Sequence, residues 1–209
     1  LGSRSLIPPN DSLGGASHTM NEIASKGQLR LSYLRWALVT VPAIVFLGFL
    51  SGRMSNSGFG NRWFAALKLP DIMPPAWVFP VAWTALYILM GLAISVILHA
   101  RGAKMRWVAV SVFLVGLAGN LAWSPVFFGL HKVNAALYLL GAIFAVTLIC
   151  VILFWQIRRW AAWLMLPYLA WLGFATALNY QIDRLNPNAE KLVPPGLKTL
   201  VRPAIRTQI

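Results

Sequence analysis

The chain has 209 residues, 58% of them hydrophobic and only 11% charged, with a mean hydropathy of +0.67. That leaves too little polar surface for a soluble globule of this size and points to an all-α integral membrane protein. The net charge of +13 does not indicate nucleic acid, because the basic residues sit in tails and short loops rather than along one helix face; anionic lipid headgroups are the simpler partner.

Residues 1–33 are rich in Ser, Gly, Pro and Asn and lack a continuous apolar core, so they read as a flexible tail and not as a signal peptide. Within them, Gly14 to Thr19 reads as an extension, with Met20 a candidate start. Apolar runs follow at 34–50, 76–98, 107–130, 133–157 and 160–182. Crossing roughly 30 Å of hydrocarbon takes about 20 helical residues, and the first run reaches that length if Arg35 extends to the interface. These runs predict a five-transmembrane-helix bundle over 34–186 with a second flexible tail at 187–209. Short loops after the second, third and fourth helices force antiparallel neighbours. The 18 basic residues divide evenly between the two sides, which predicts no preferred orientation.

The connection at 51–73 is the long one and carries Trp63, Phe64, Leu67 and Leu69. It is either a solvated linker with aromatic anchors or a cover over one mouth of the bundle. Beyond it, Pro74 to Gly91 opens the second span, where proline is tolerated because the first helical N–H groups have no partner. Trp83 and Tyr87, four residues apart, share a face, and Trp77 sits nearer the interface.

In the third span Asn120, Trp123, Ser124 and Phe127 form one stripe, and Pro125 leaves the Leu121 carbonyl without its usual partner. In the fifth, Pro167, Trp171, Ala175 and Leu178 form another, beside Asn179 and Tyr180. Such stripes serve helix packing equally well. Trp36, Trp63, Trp107, Trp155, Trp160 and Trp163 lie near helix ends and read as interface residues. Gly116 and Gly119, and Gly141 with Ala145, allow close helix approach and could support a dimer.

Spans two to five contain no Lys, Arg, Asp or Glu, which weighs against proton pumps and ion-coupled carriers. The three histidines lack a second ligand at metal spacing, and Cys150, the single cysteine, lies inside an apolar run. No catalytic residue, metal site or cofactor is therefore assigned. Aromatic walls with a few convergent polar groups suit a flat, largely apolar ligand.

Several blocks in order carry a family resemblance: Trp63-Phe64-Ala65-Ala66-Leu67 before Pro70; Pro74-Pro75-Ala76-Trp77-Val78-Phe79-Pro80; Trp83-Thr84-Ala85-Leu86-Tyr87 with Met90-Gly91; Asn120 through Trp123-Ser124-Pro125 to Gly129; and Pro167-Tyr168-Leu169-Ala170-Trp171 through Asn179. Over residues 37–187 the chain resembles the tryptophan-rich sensory protein / translocator protein (TspO/MBR) family, whose mammalian members were called peripheral-type benzodiazepine receptors. The bacterial members look most similar.

The resemblance implies a homodimeric five-helix bundle whose pocket is closed by the loop between helices one and two. It implies a multi-pass protein of a bacterial membrane, inner or outer left open. Its function would be to sense, regulate or transport tetrapyrroles, porphyrin or haem-like, with sterols such as cholesterol and benzodiazepine-type drugs as further ligands. Carried over by motif, the pocket would include Trp63, Trp77, Trp83, Asn120, Trp123, Trp171, Ala175 and Leu178, and the stripes add Tyr87 and Phe127. Light-dependent porphyrin degradation and a purely structural membrane role are the alternatives. Phe64 stands where the family often has Tyr, and Leu69 where it often has Lys, which removes polar groups from the lid.

Overall fold

The structure is a computed structural model and describes residues 26–192. Five helices are long and apolar enough to cross a membrane, and no strand occurs among the described residues. They are α1 (Lys26–Met54), α3 (Val78–His99), α4 (Arg106–Ser124), α5 (Val133–Ile157) and α6 (Arg159–Leu185), with a four-residue α2 (Arg62–Ala65) in the long connection. The expected spans are all present. Two boundaries differ: α1 starts inside the segment expected to be tail, and past α6 the chain forms a short 3-10 turn at Ala189–Lys191 whose Ala189 is buried. The rest of both tails lies outside the described residues.

The helices form a ring in which α1 packs on α3, α3 on α6, α6 on α5 and α5 on α4, while α4 returns to touch α1 and α3. Thus α3 leans mainly on α1 and α6 and only lightly on α4, its successor in the chain. Lipid tails are as apolar as the side chains, so close packing and interhelical hydrogen bonds hold such a ring together. At the α1–α3 contact a Cβ on Gly91 would lie 2.6 Å from the Val41 Cα, so only glycine lets the two backbones approach this closely. The Thr40 hydroxyl reinforces the contact, sharing its one proton between the carbonyls of Gly91 (2.8 Å) and Trp36 (2.9 Å).

On the side of the bundle away from the long connection, Ala93, Ala109 and Ala161 are fully buried, and Phe113 stacks on Phe154 in the same core. Exposed Trp107, Trp155, Trp160 and Trp163 ring this end, with Arg106 over Trp107 and Arg159 over Trp155. Exposure of these rings at the span ends, beside basic side chains, is what an interface belt requires. Trp63 does not belong to it. Its side chain is 1% exposed and lies at the opposite end of the bundle.

Glycines expected to serve a dimer divide into two groups. Gly116 and Gly119 face α5, where Val146 and Ile143 already fill the space beside them, so they belong to packing within the chain. Gly141 and Ala145 lie exposed on the outer face of α5, and nothing stands within 4 Å of a Cβ built on Gly141.

Candidate functional site: a lidded aromatic cavity

The cavity lies where α1, α4 and α6 end and α3 and α5 begin. Proline shapes it. At the end of α4, Pro125 cannot donate to the Leu121 carbonyl, and the Ser51 hydroxyl from α1 bonds that carbonyl instead. The chain then widens into a π-turn at Pro125–Gly129, closed by Leu130 N–H to the Pro125 carbonyl at 2.8 Å. The wider turn brings the adjacent Phe127 and Phe128 both into buried positions. The vacancy foreseen at Leu121 is therefore an α1–α4 cross-link.

The walls are aromatic. From α3, Trp83 stacks on Tyr87 at 5.2 Å between ring centroids and meets the edge of Trp171 from α6 at 6.3 Å. Across the cavity Trp123 stacks on Phe127 at 5.0 Å. The Tyr87 hydroxyl donates to Asn120 Oδ1 at 3.2 Å, tying α3 to α4. Gly48 of α1 makes room for Tyr87, since a Cβ there would lie 2.1 Å from its ring. The space is partly open and about 850 Å³ in volume, and eight of the ten expected site residues line it: Trp83, Tyr87, Asn120, Trp123, Phe127, Trp171, Ala175 and Leu178.

The other two lie elsewhere. Trp77 sits at the N-cap position ahead of the first residue of α3 and is 67% exposed, whereas Phe79, two residues on, is the one that lines the cavity. Trp63 is buried behind the cavity wall instead of on it, packed on Phe127 and stacked on His131 at 4.5 Å. Its indole N–H donates to the Ala189 carbonyl at 2.9 Å. Its contribution is to hold the lid.

That lid is the connection between α1 and α3. Asn61 caps α2, its Oδ1 accepting from the N–H groups of Trp63 and Phe64 at 3.0 and 3.1 Å, while its Nδ2 donates to the Phe128 carbonyl at 3.3 Å. Asn186, just past α6, grips the other side. Its Oδ1 accepts from Lys68 N–H at 2.8 Å, and its Nδ2 donates to the carbonyls of Lys68 at 2.9 Å and Ile182 at 2.8 Å. The side-chain amide thus pairs with the Lys68 backbone as a neighbouring strand would. Burial of Phe64 and Leu67 adds about 1.5–3 kcal/mol each. Phe59 of the lid meets Phe79 of α3 at 6.2 Å, and both line the cavity. Of the two readings open for this connection, the structure has the cover.

Residues the sequence did not single out as lining include Phe79, Phe128, Phe174 and Asn179, and the end of α1 from Gly48 to Arg53. Gly48 and Gly52, four apart on the first span, were the available signal for a close approach there. Two cavity-lining residues carry a buried polar atom without a partner among the described residues: Trp123 Nε1, a donor, and Asn179 Oδ1, an acceptor. No Asp, Glu, His or Cys lines the cavity, and among the described residues no group of three or more comes together. Such a wall can stack, exclude water and orient. It offers no paired acid and base.

Fold and cavity together define a multi-pass integral membrane protein with a lidded aromatic chamber at one end of its helix bundle. The sequence pattern of the TspO/MBR family matches residues 38–185, and the chain belongs to that family. It is 33% identical over 156 residues to protein CrtK of Rhodobacter capsulatus, covering 74% of this chain and 98% of that one. To the tryptophan-rich sensory protein of Cereibacter sphaeroides it is 38% identical over 128 residues, 61% of this chain and 79% of that one. To the human translocator protein it is 35% identical over 153 residues, 70% of this chain and 90% of that one.

Proposed function

We propose that the protein is a membrane receptor that captures a flat tetrapyrrole, porphyrin or haem-like, in the lidded cavity and thereby senses or moves it. One observation carries the reading: two opposed aromatic walls, Trp83 with Trp171 and Trp123 with Phe127, bound a space of about 850 Å³. Large π-faces stack best on ligands that present a π-face of their own. The same walls would accept a sterol less specifically, by area alone. Titrating purified protein with protoporphyrin should quench tryptophan fluorescence saturably, and Trp123→Ala should weaken binding about tenfold or more. Unchanged affinity in that variant and in Trp171→Ala would sink the assignment.

A second reading, light-dependent porphyrin degradation, is favoured by the ring contacts among Trp83, Tyr87 and Trp171, which would set oxidisable rings against a bound macrocycle. Product analysis after illumination, wild type against Trp83→Phe and Trp171→Phe, separates catalysis from binding. For assembly, the proposal is a homodimer formed across the outer face of α5 at Gly141 and Ala145. Gly141→Leu should then shift the protein to monomer in chemical cross-linking of membranes, and an unaltered dimer yield would place the contact elsewhere.

A further inference from the structure

The cavity has one charged side chain on its wall, and it is a cation. Arg53 lies in the last turn of α1, exposed, beside Asn56 and Ser57 where the lid begins. The acidic residues of the described chain are Asp71, Asp183 and Glu190, and none of them lines the cavity. Glu190 pairs with Lys132 instead, at 3.1 Å. Among the described residues the Arg53 guanidinium makes no ion pair and no hydrogen bond.

The end of α1 does not engage this guanidinium either. Its terminal carbonyls are already taken: Ser51 O by the N–H and hydroxyl of Ser55, Gly52 O by the N–H and hydroxyl of Ser57, and Arg53 O by Asn56 N–H. A planar guanidinium with its donors unused, set at the rim of an otherwise uncharged aromatic chamber, matches the fork of a carboxylate.

We propose that Arg53 is a specificity-determining residue that selects, among flat apolar ligands, those bearing an ionised carboxylate on one edge. The ring system would lie between the tryptophan walls while the carboxylate meets Arg53 at the mouth. Neutral sterols and esterified rings gain nothing from this contact. The proposal rests on the tetrapyrrole reading above and deepens it by naming the ligand's charged edge.

The test uses the full chain in neutral detergent and two probes of the same ring, protoporphyrin IX with free carboxylates and its uncharged dimethyl ester. Binding is followed by tryptophan quenching in wild type, Arg53→Gln and Arg53→Lys. The expected result is a loss of about tenfold or more for the free acid in Arg53→Gln, with partial retention in Arg53→Lys and no change for the ester. The free acid should also weaken in wild type as salt is raised, and the ester should not. An equal loss for acid and ester, or no loss for the acid, overturns the role of Arg53 while leaving the cavity assignment standing. A wild type that binds neither probe overturns the tetrapyrrole reading itself and this proposal with it. Because Arg53 is exposed at a helix end, an unchanged thermal unfolding profile in both variants confirms that the comparison is made on folded protein.

Discussion

The two ends of the bundle contain similar residues arranged to opposite effect. Away from the lid, alanines at 93, 109 and 161 are fully buried and the space between the helices is filled. At the lid end, Trp83, Trp123 and Trp171 are only partly buried and stand around a chamber instead of filling it. Small residues let helices close on one another, whereas large rings placed opposite each other, with a π-turn widening α4, keep them apart. One end is therefore held by contact between helices. The other depends on a loop that brings its own hydrogen bonds.

If that contrast is right, damage at the two ends should look different. The largest effect is expected at Gly91, just below the chamber, where the α1 and α3 backbones meet. Gly91→Leu should destabilise the fold by about 3 kcal/mol or more, read as a lowered unfolding temperature in detergent, and a variant as stable as wild type would remove backbone contact as the organising feature. Next comes Trp83→Ala, which takes away one wall: porphyrin affinity should drop about tenfold or more while the far end keeps its protection against hydrogen exchange. If protection falls throughout, the two ends are not separable.

A smaller effect should follow from Asn186→Ala, which leaves the backbone N–H and carbonyl of Lys68 without their partner. About 1–3 kcal/mol of local stability should be lost. Faster amide exchange across 61–68 and faster ligand release, with the far end unaltered, would locate the loss in the lid. The smallest is Glu190→Gln at the exposed pair with Lys132, where a change within about 0.5 kcal/mol is expected by thermal unfolding. A large effect there would mean that the lid is held by charge and not by backbone pairing.

Much of this architecture is legible in the sequence. Spans of about 20 apolar residues have few alternatives in a chain this poor in charge. The stripe of Asn120, Trp123 and Phe127 was legible because helical spacing fixes which side chains share a face, and Pro125 because its missing N–H must leave a carbonyl free. Trp63 and Trp77 were not legible in the same way. Trp63 lies in a four-residue helix and Trp77 ahead of a helix, too little regular structure for a period to dictate direction, so whether Trp63 faces a cavity or a backbone carbonyl 126 residues away is decided by tertiary packing. The hold of Asn186 on Lys68 was hidden likewise, since an asparagine past the end of a helix more often signals only a stop. The role of α1 was missed because Gly48 and Gly52 look like any small residues in an apolar run.

The bond from the Trp63 indole to the Ala189 carbonyl also sets an order of assembly. During synthesis the lid sequence is made early, directly after α1, but the carbonyl that fastens it is made 126 residues later, after all five spans of the described chain. Until then the lid has its aromatic side chains and no completed seat. The four later spans must insert and close their ring before the chamber can acquire its roof, so among the described elements the lidded chamber is completed last.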